Sequence, residues 1–140
     1  MDNENSSIGI ILVGHGKFGS SILHTAESII GPQSDCVSIS VDIAQEVEDA
    51  IRRLNDAAQI LDKGQGVIVL TDMFGGTPTN LALSLLSQHQ VEVITGMNLP
   101  MLLKVLENRG RAPLAELAKM ADEAGKAGIV AAGKMRKTKK

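Results

Sequence analysis

Short apolar runs alternate with helix-length amphipathic segments along this chain, and that order admits few folds. Ile8 to Val13 is an apolar run closed by Gly14, the pattern of a strand buried on both faces. Phe18, Ile22, Ala26, Ile29 and Ile30 then recur at helical spacing, and Gly31-Pro32 stops the helix. Val37 to Val41 reads as a second strand, and Val47, Ala50, Ile51, Leu54, Ala58 and Leu61 mark an amphipathic helix ending near Gly64. Val67 to Leu70 is a third strand running into Thr71-Asp72. After Gly75-Gly76, Thr77 is a good N-cap with Pro78 at the first helical position, and the helix continues through Leu81 to Leu86. Val91 to Ile94 is a fourth strand. Asn98 and Pro100 repeat the cap-and-proline signal before a helix through Leu106; a helix from about Pro113 to Gly125 and an apolar piece, Ile129 to Ala132, follow. Strands separated by helices imply right-handed βαβ units. The expected fold is α/β: an open, doubly wound, mostly parallel sheet with helices on both faces, the closing apolar piece available as an edge strand.

A chain of 140 residues, 44% hydrophobic, suits one domain; two would each be too small for a sound core. We place that domain at residues 8–133, after a polar N-terminal extension, 1–7, expected to be disordered. The hydrophobic residues are almost all aliphatic, with two Phe and no Tyr or Trp. Stacking platforms for nucleic acid are therefore missing, and no nucleic-acid partner is expected. The net charge is −2, yet residues 134–140 carry five basic groups, so the rest of the chain sums to −7. Such a basic tail reads as a solvated, disordered end. The single Cys36 permits no internal disulfide and no cysteine metal pair, which fits a reducing cytoplasm. No signal peptide or membrane-spanning run is visible.

In open α/β sheets ligands sit beyond the carboxyl ends of the strands, where the strand order reverses. A flavodoxin-like order makes strands 1 and 3 neighbours there. Strand 1 ends in Gly14-His15-Gly16-Lys17 and strand 3 in Thr71-Asp72. Adjacent strands lie about 4.8 Å apart, so a carboxylate on one tip can reach an imidazole on the other. If Asp72 accepts the Nδ1–H of His15, it fixes the tautomer, leaves the Nε2 lone pair as an outward nucleophile and stabilises positive charge on the ring. The free amides of the helix starting at Thr77-Pro78 favour an anion beside it, and Gly75 and Gly76 let the backbone approach phosphate oxygens. The Thr77 hydroxyl has two uses, phosphate donor or helix cap. Lys17 could steer phosphate but suits a solvated helix start. His24 and His89 are not placed for catalysis; Met73, Met97, Met101 and Met120 read as packing residues. No metal or cofactor is expected.

The segments at this site resemble the enzyme IIA domain of the mannose family of the bacterial sugar phosphotransferase system, from Ile8 to about Gly133. The resemblance is carried by Ile-Ile-Leu-Val-Gly-His-Gly (Ile10 to Gly16), by Asp72-Met73-Phe74-Gly75-Gly76-Thr77-Pro78-Thr79-Asn80, and by Gly96-Met97-Asn98-Leu99-Pro100-Met101. It implies that His15 accepts a phosphoryl group at Nε2 with Asp72 orienting it. The implied donor is the phosphorylated carrier protein HPr and the implied recipient an enzyme IIB, with the membrane involved only through transporter subunits. It further implies a homodimer that exchanges an antiparallel last strand, here about Gly128 to Ala132. Many relatives continue through an Ala/Pro-rich linker into a IIB domain, whereas this chain ends in a basic tail, so a separate recipient or a regulatory role is expected.

Rival readings are weaker on particular residues. A receiver-type signalling domain needs acids for Mg²⁺ at the end of strand 1, where this chain has Gly-His-Gly-Lys. A dinucleotide or flavin module lacks its GxGxxG and its stacking aromatics. The phosphotransferase subunit of dihydroxyacetone kinase shares the fold and a strand-1 His, but the Gly-Gly-Thr-Pro run favours the mannose type.

Overall fold

A computed structural model describes residues 7–42 and 47–138. Four strands, β1 (Gly9–His15), β2 (Cys36–Val41), β3 (Val67–Thr71) and β4 (Val91–Ile94), form one all-parallel sheet in the order β2-β1-β3-β4. Among the described residues six helices accompany them: α1 (Phe18–Ile30), α2 (Val47–Leu61), α3 (Thr77–Leu83), α4 (Leu99–Asn108), α5 (Leu114–Ala127) and α6 (Ala132–Thr138). A 3₁₀ turn, Ser84–Ser87, extends α3.

The period of two along the central strands divides the interior into two cores. Ile10 and Leu12 of β1 join Ile68 and Leu70 of β3 under α1, α4 and α5, while Ile11, Val13, Val67 and Val69 face α2 and α3. This is why β1 and β3 read as unbroken apolar runs: both of their faces are covered. Gly9 has a steric reason, since a Cβ there would lie 2.6 Å from Leu61 Cβ. Gly31 ends α1 at φ +99, its amide bonded to Glu27 O at 2.8 Å, as Gly31-Pro32 predicts. Asn98 caps α4, accepting from the Met101 amide at 3.0 Å, and also donates to Gly125 O at 3.0 Å, which ties α4 to α5.

Several expectations are revised. α3 begins at Thr77, and its N-cap is Gly76, in extended geometry and without a side-chain cap bond. The cap-and-proline pattern was thus one residue out of step with the backbone turn. Segment 128–132 forms no strand in the single chain: Ile129 and Val130 are 78% and 56% exposed, and α6 begins at Ala132. A strand needs a neighbour to bond, and among the described residues segment 128–132 pairs with none. The basic end, read as disordered, is helical through Thr138. Of the N-terminal extension, only Ser7 lies within the described residues. Met97 and Met101 pack in the core as expected, but Met73 is 53% exposed.

Candidate functional site

The sheet order turns between β1 and β3, with β2 and α1 wound to one side and β4 to the other. Register pairs Val13 with Thr71, so the two strand tips deliver His15 and Asp72 to the same end of the crevice. His15 Nδ1 lies 2.8 Å from Asp72 Oδ2, and the same oxygen accepts the His15 backbone N–H at 2.9 Å. One carboxylate oxygen thus holds both the main chain and the ring of a single residue. The imidazole is half exposed and the carboxylate only 14% exposed, so the ring stands outward above its acceptor.

Asp72 Oδ1 is buried and has no hydrogen-bond partner among the described residues. Burial works to raise the Asp72 pKa. The opposing contributions prevail: the His15 amide, the His15 ring bond, its charge and the Met73 amide hold the carboxyl below its ordinary value. An ionised carboxylate facing Nδ1 selects the Nδ1–H tautomer. Nε2 then keeps its lone pair on the exposed side of the ring.

The β3–α3 loop closes over one flank. Gly75 adopts φ +85, which favours glycine, and a Cβ on Gly76 would sit 3.4 Å from both His15 Cε1 and Met73 Cγ. Thr77 joins His15, Val41 and Asp42 in lining a small cleft. The structure therefore brings His15, Asp72, Gly76 and Thr77 together, with Gly75 shaping the loop. Lys17 is exposed at the start of α1. His24 faces solvent, and His89 bonds Asn55 through Nε2 at 2.8 Å, a structural role. Both phenylalanines flank the site: Phe18 packs beside Gly14, and Phe74, on the loop, is 80% exposed.

Sequence reasoning overlooked Asp42 in the cleft and two buried threonines, Thr71 and Thr79, beneath the loop. The signal available for Thr71 was a hydroxyl at the end of an otherwise aliphatic strand; Thr79, inside α3, gave none. Cys36 offers no rival nucleophile. Burial pushes its thiol up to about 12, against the lowering effect of Arg109 and with a further rise from Glu27. No group of three or more His, Cys, Asp or Glu gathers to hold a metal ion among the described residues, and no helix there is long and apolar enough to cross a membrane.

Comparison with known proteins gives a consistent picture. The family described as EIIA-man, PTS system fructose IIA component, matches residues 9–122. The PTS system mannose-specific EIIAB component of Escherichia coli strain K12 is 34% identical over 127 residues, covering 89% of this chain and 39% of that protein. The chain thus spans about two fifths of the length of that relative. The PTS system fructose-specific EIIA component of Bacillus subtilis strain 168 is 29% identical over 111 residues, covering 79% of this chain and 76% of that one. Among solved structures, the phosphotransferase system component EIIA from Streptococcus agalactiae superposes with a TM-score of 0.83 at 29% identity, covering 91% of this chain and 98% of the other. The PTS IIA protein associated with the fucose utilization operon of Streptococcus pneumoniae gives 0.81 at 27% identity, covering 92% and 96%.

Proposed function

Because this chain belongs to the mannose/fructose family of phosphotransferase-system EIIA components, the carriers of sugar phosphotransfer, we propose that its phosphoryl carrier atom is Nε2 of His15. The observation that carries the assignment is the 2.8 Å contact between His15 Nδ1 and Asp72 Oδ2 beneath a half-exposed ring. In this reading the donor is the phosphohistidine of HPr. The Nε2 lone pair attacks phosphorus, a new N–P bond forms, and the donor's N–P bond breaks with its electron pair returning to the donor nitrogen. The Nδ1 proton stays on the ring, and Asp72 offsets the positive charge that develops. An enzyme IIB then takes the phosphoryl group by the same exchange in reverse.

Gly75, Gly76 and Thr77 hold the phosphoryl oxygens in this account. Support comes from the closeness of Gly76 to His15 Cε1 and from Thr77 lining the same cleft. The protein works as a homodimer that exchanges segment 128–132. That reading draws support from the unpaired edge of β4, from a groove beside it lined by Phe74, Leu83, Val93 and Ile94, and from the exposed Ile129 and Val130. Dihydroxyacetone kinase's phosphotransferase subunit and a receiver-like module are not favoured by any of these features.

Incubation with radiolabelled HPr-phosphate should label the protein with an acid-labile, alkali-stable bond. His15→Ala should lose all label while keeping its circular dichroism spectrum. Retained label in that variant would remove His15 from the role.

A further inference from the structure

Only three polar or charged side chains are buried among the described residues: Thr71, Thr79 and Arg109. Arg109 is accounted for, since it donates to Gln33 Oε1, Ser34 O and Asp35 O and so shapes the entry to β2. The two threonines meet under the candidate site. Their Oγ1 atoms are 2.6 Å apart, and Thr79 Oγ1 is also 2.6 Å from the Met73 carbonyl oxygen. A hydroxyl has one proton to give. A carbonyl can only accept, so the Thr79 proton goes to Met73 O, and Thr71 must donate to Thr79. The direction of the relay is fixed: Thr71 to Thr79 to Met73 O.

Residues 71 and 73 are the two chain neighbours of Asp72. The Thr71 carbonyl is independently held by the Met97 amide at 2.9 Å. The Met73 carbonyl depends on Thr79. From there the chain passes through exposed Met73 and Phe74 to Gly75-Gly76, where nothing apolar is buried to fix its course. A buried hydroxyl reaching up from α3 thus holds the carbonyl of the Met73–Phe74 peptide, one residue beyond Asp72. We propose that Thr79 is a positioning residue for phosphoryl transfer. Its hydroxyl clamps the Met73–Phe74 peptide, one residue beyond Asp72, and so keeps Oδ2 on the ring of His15. The inference rests on the roles proposed for His15 and Asp72, and it deepens them. Small displacements matter here because both contacts to Oδ2 are already at ordinary hydrogen-bond length and weaken steeply with angle.

The test uses Thr79→Val, which keeps the shape and removes the hydroxyl, beside Thr79→Ser, which keeps the hydroxyl. Ring ¹⁵N NMR of unphosphorylated His15 reports its tautomer, and single-turnover labelling from HPr-phosphate reports transfer. Thr79→Val should move the ring toward the Nε2–H tautomer and slow labelling about tenfold, and Thr79→Ser should restore both. A folded Thr79→Val with parental ring signals and rate would overturn the proposal, as would a Thr79→Ser that behaves like the valine variant. Should Thr79→Val fail to fold, Thr71→Val removes only the first link. It should shift the ring signals in the same direction and slow transfer about threefold; unchanged signals and rate would overturn the proposal. If the parent protein accepts no label, the carrier role falls, while the tautomer measurement still decides on Thr79.

Discussion

At Asp72 a single oxygen serves two donors of the same residue, and its twin oxygen has no partner among the described residues. A neutral replacement therefore changes more than charge. Asp72→Asn can present an amide N–H to Nδ1, which favours the wrong tautomer and leaves the phosphorylated ring without its counter-charge. Transfer should fall on the order of 100-fold or more, measured by single-turnover labelling, with thermal unfolding little changed. The same contact gives a pH signature. The folded carboxyl is held below its unfolded value, so its stabilising contribution is complete above about pH 4 and is lost as pH falls through the folded value. Urea titrations between pH 6 and pH 2 should show an acid-side loss of stability that shrinks in Asp72→Asn. His15 and Asp72 were legible in sequence because each closes an apolar run, and a strand tip is where a polar residue must emerge. Thr79 was not legible. Its partners are a carbonyl and a hydroxyl six and eight positions away, and their approach depends on how the loop folds back over the helix.

Among the elements, glycines set how closely neighbours approach. A Cβ on Gly128 would meet Pro100 Cγ at 2.5 Å, and one on Gly125 would meet Met101 Cε at 2.7 Å, so the end of α5 sits directly on the start of α4. The end of the sheet opposite the site has its own case in Gly9, pressed against Leu61 at the end of α2. There the obstacle includes the Leu61 carbonyl oxygen, 2.8 Å away, which cannot rotate aside. Gly9→Ala should lower stability by about 1–3 kcal/mol, read as a reduced urea midpoint at unchanged slope. The Asn98 cap was visible as a sequence pattern, whereas its second bond, to Gly125 O, joins helices 27 positions apart and was not. The start of α3 was misplaced by one residue for a related reason. Thr77 and Gly76 are both acceptable caps, and only the extended backbone at Gly76 decides between them.

For the whole molecule, the strand order is what converts a list of βαβ units into a crevice. Chain reversal after β2 carries α2 to the opposite face from α1, and the two tips between them are left open. This much follows from the alternation of apolar runs, given right-handed crossovers. The fate of segment 128–132 does not, because its bonding partner is proposed to lie in another copy. Light scattering at micromolar concentration should give twice the chain mass of 14.8 kDa, and Ile129→Asp should return it to one. The near-absence of aromatic residues has a practical corollary. The protein has only two benzyl side chains, Phe18 and Phe74, and both border the strand tips. Their proton resonances form a ready-made local probe, free of overlap from tyrosine or tryptophan, through which cargo arrival or a docking protein can be watched without attaching any reporter.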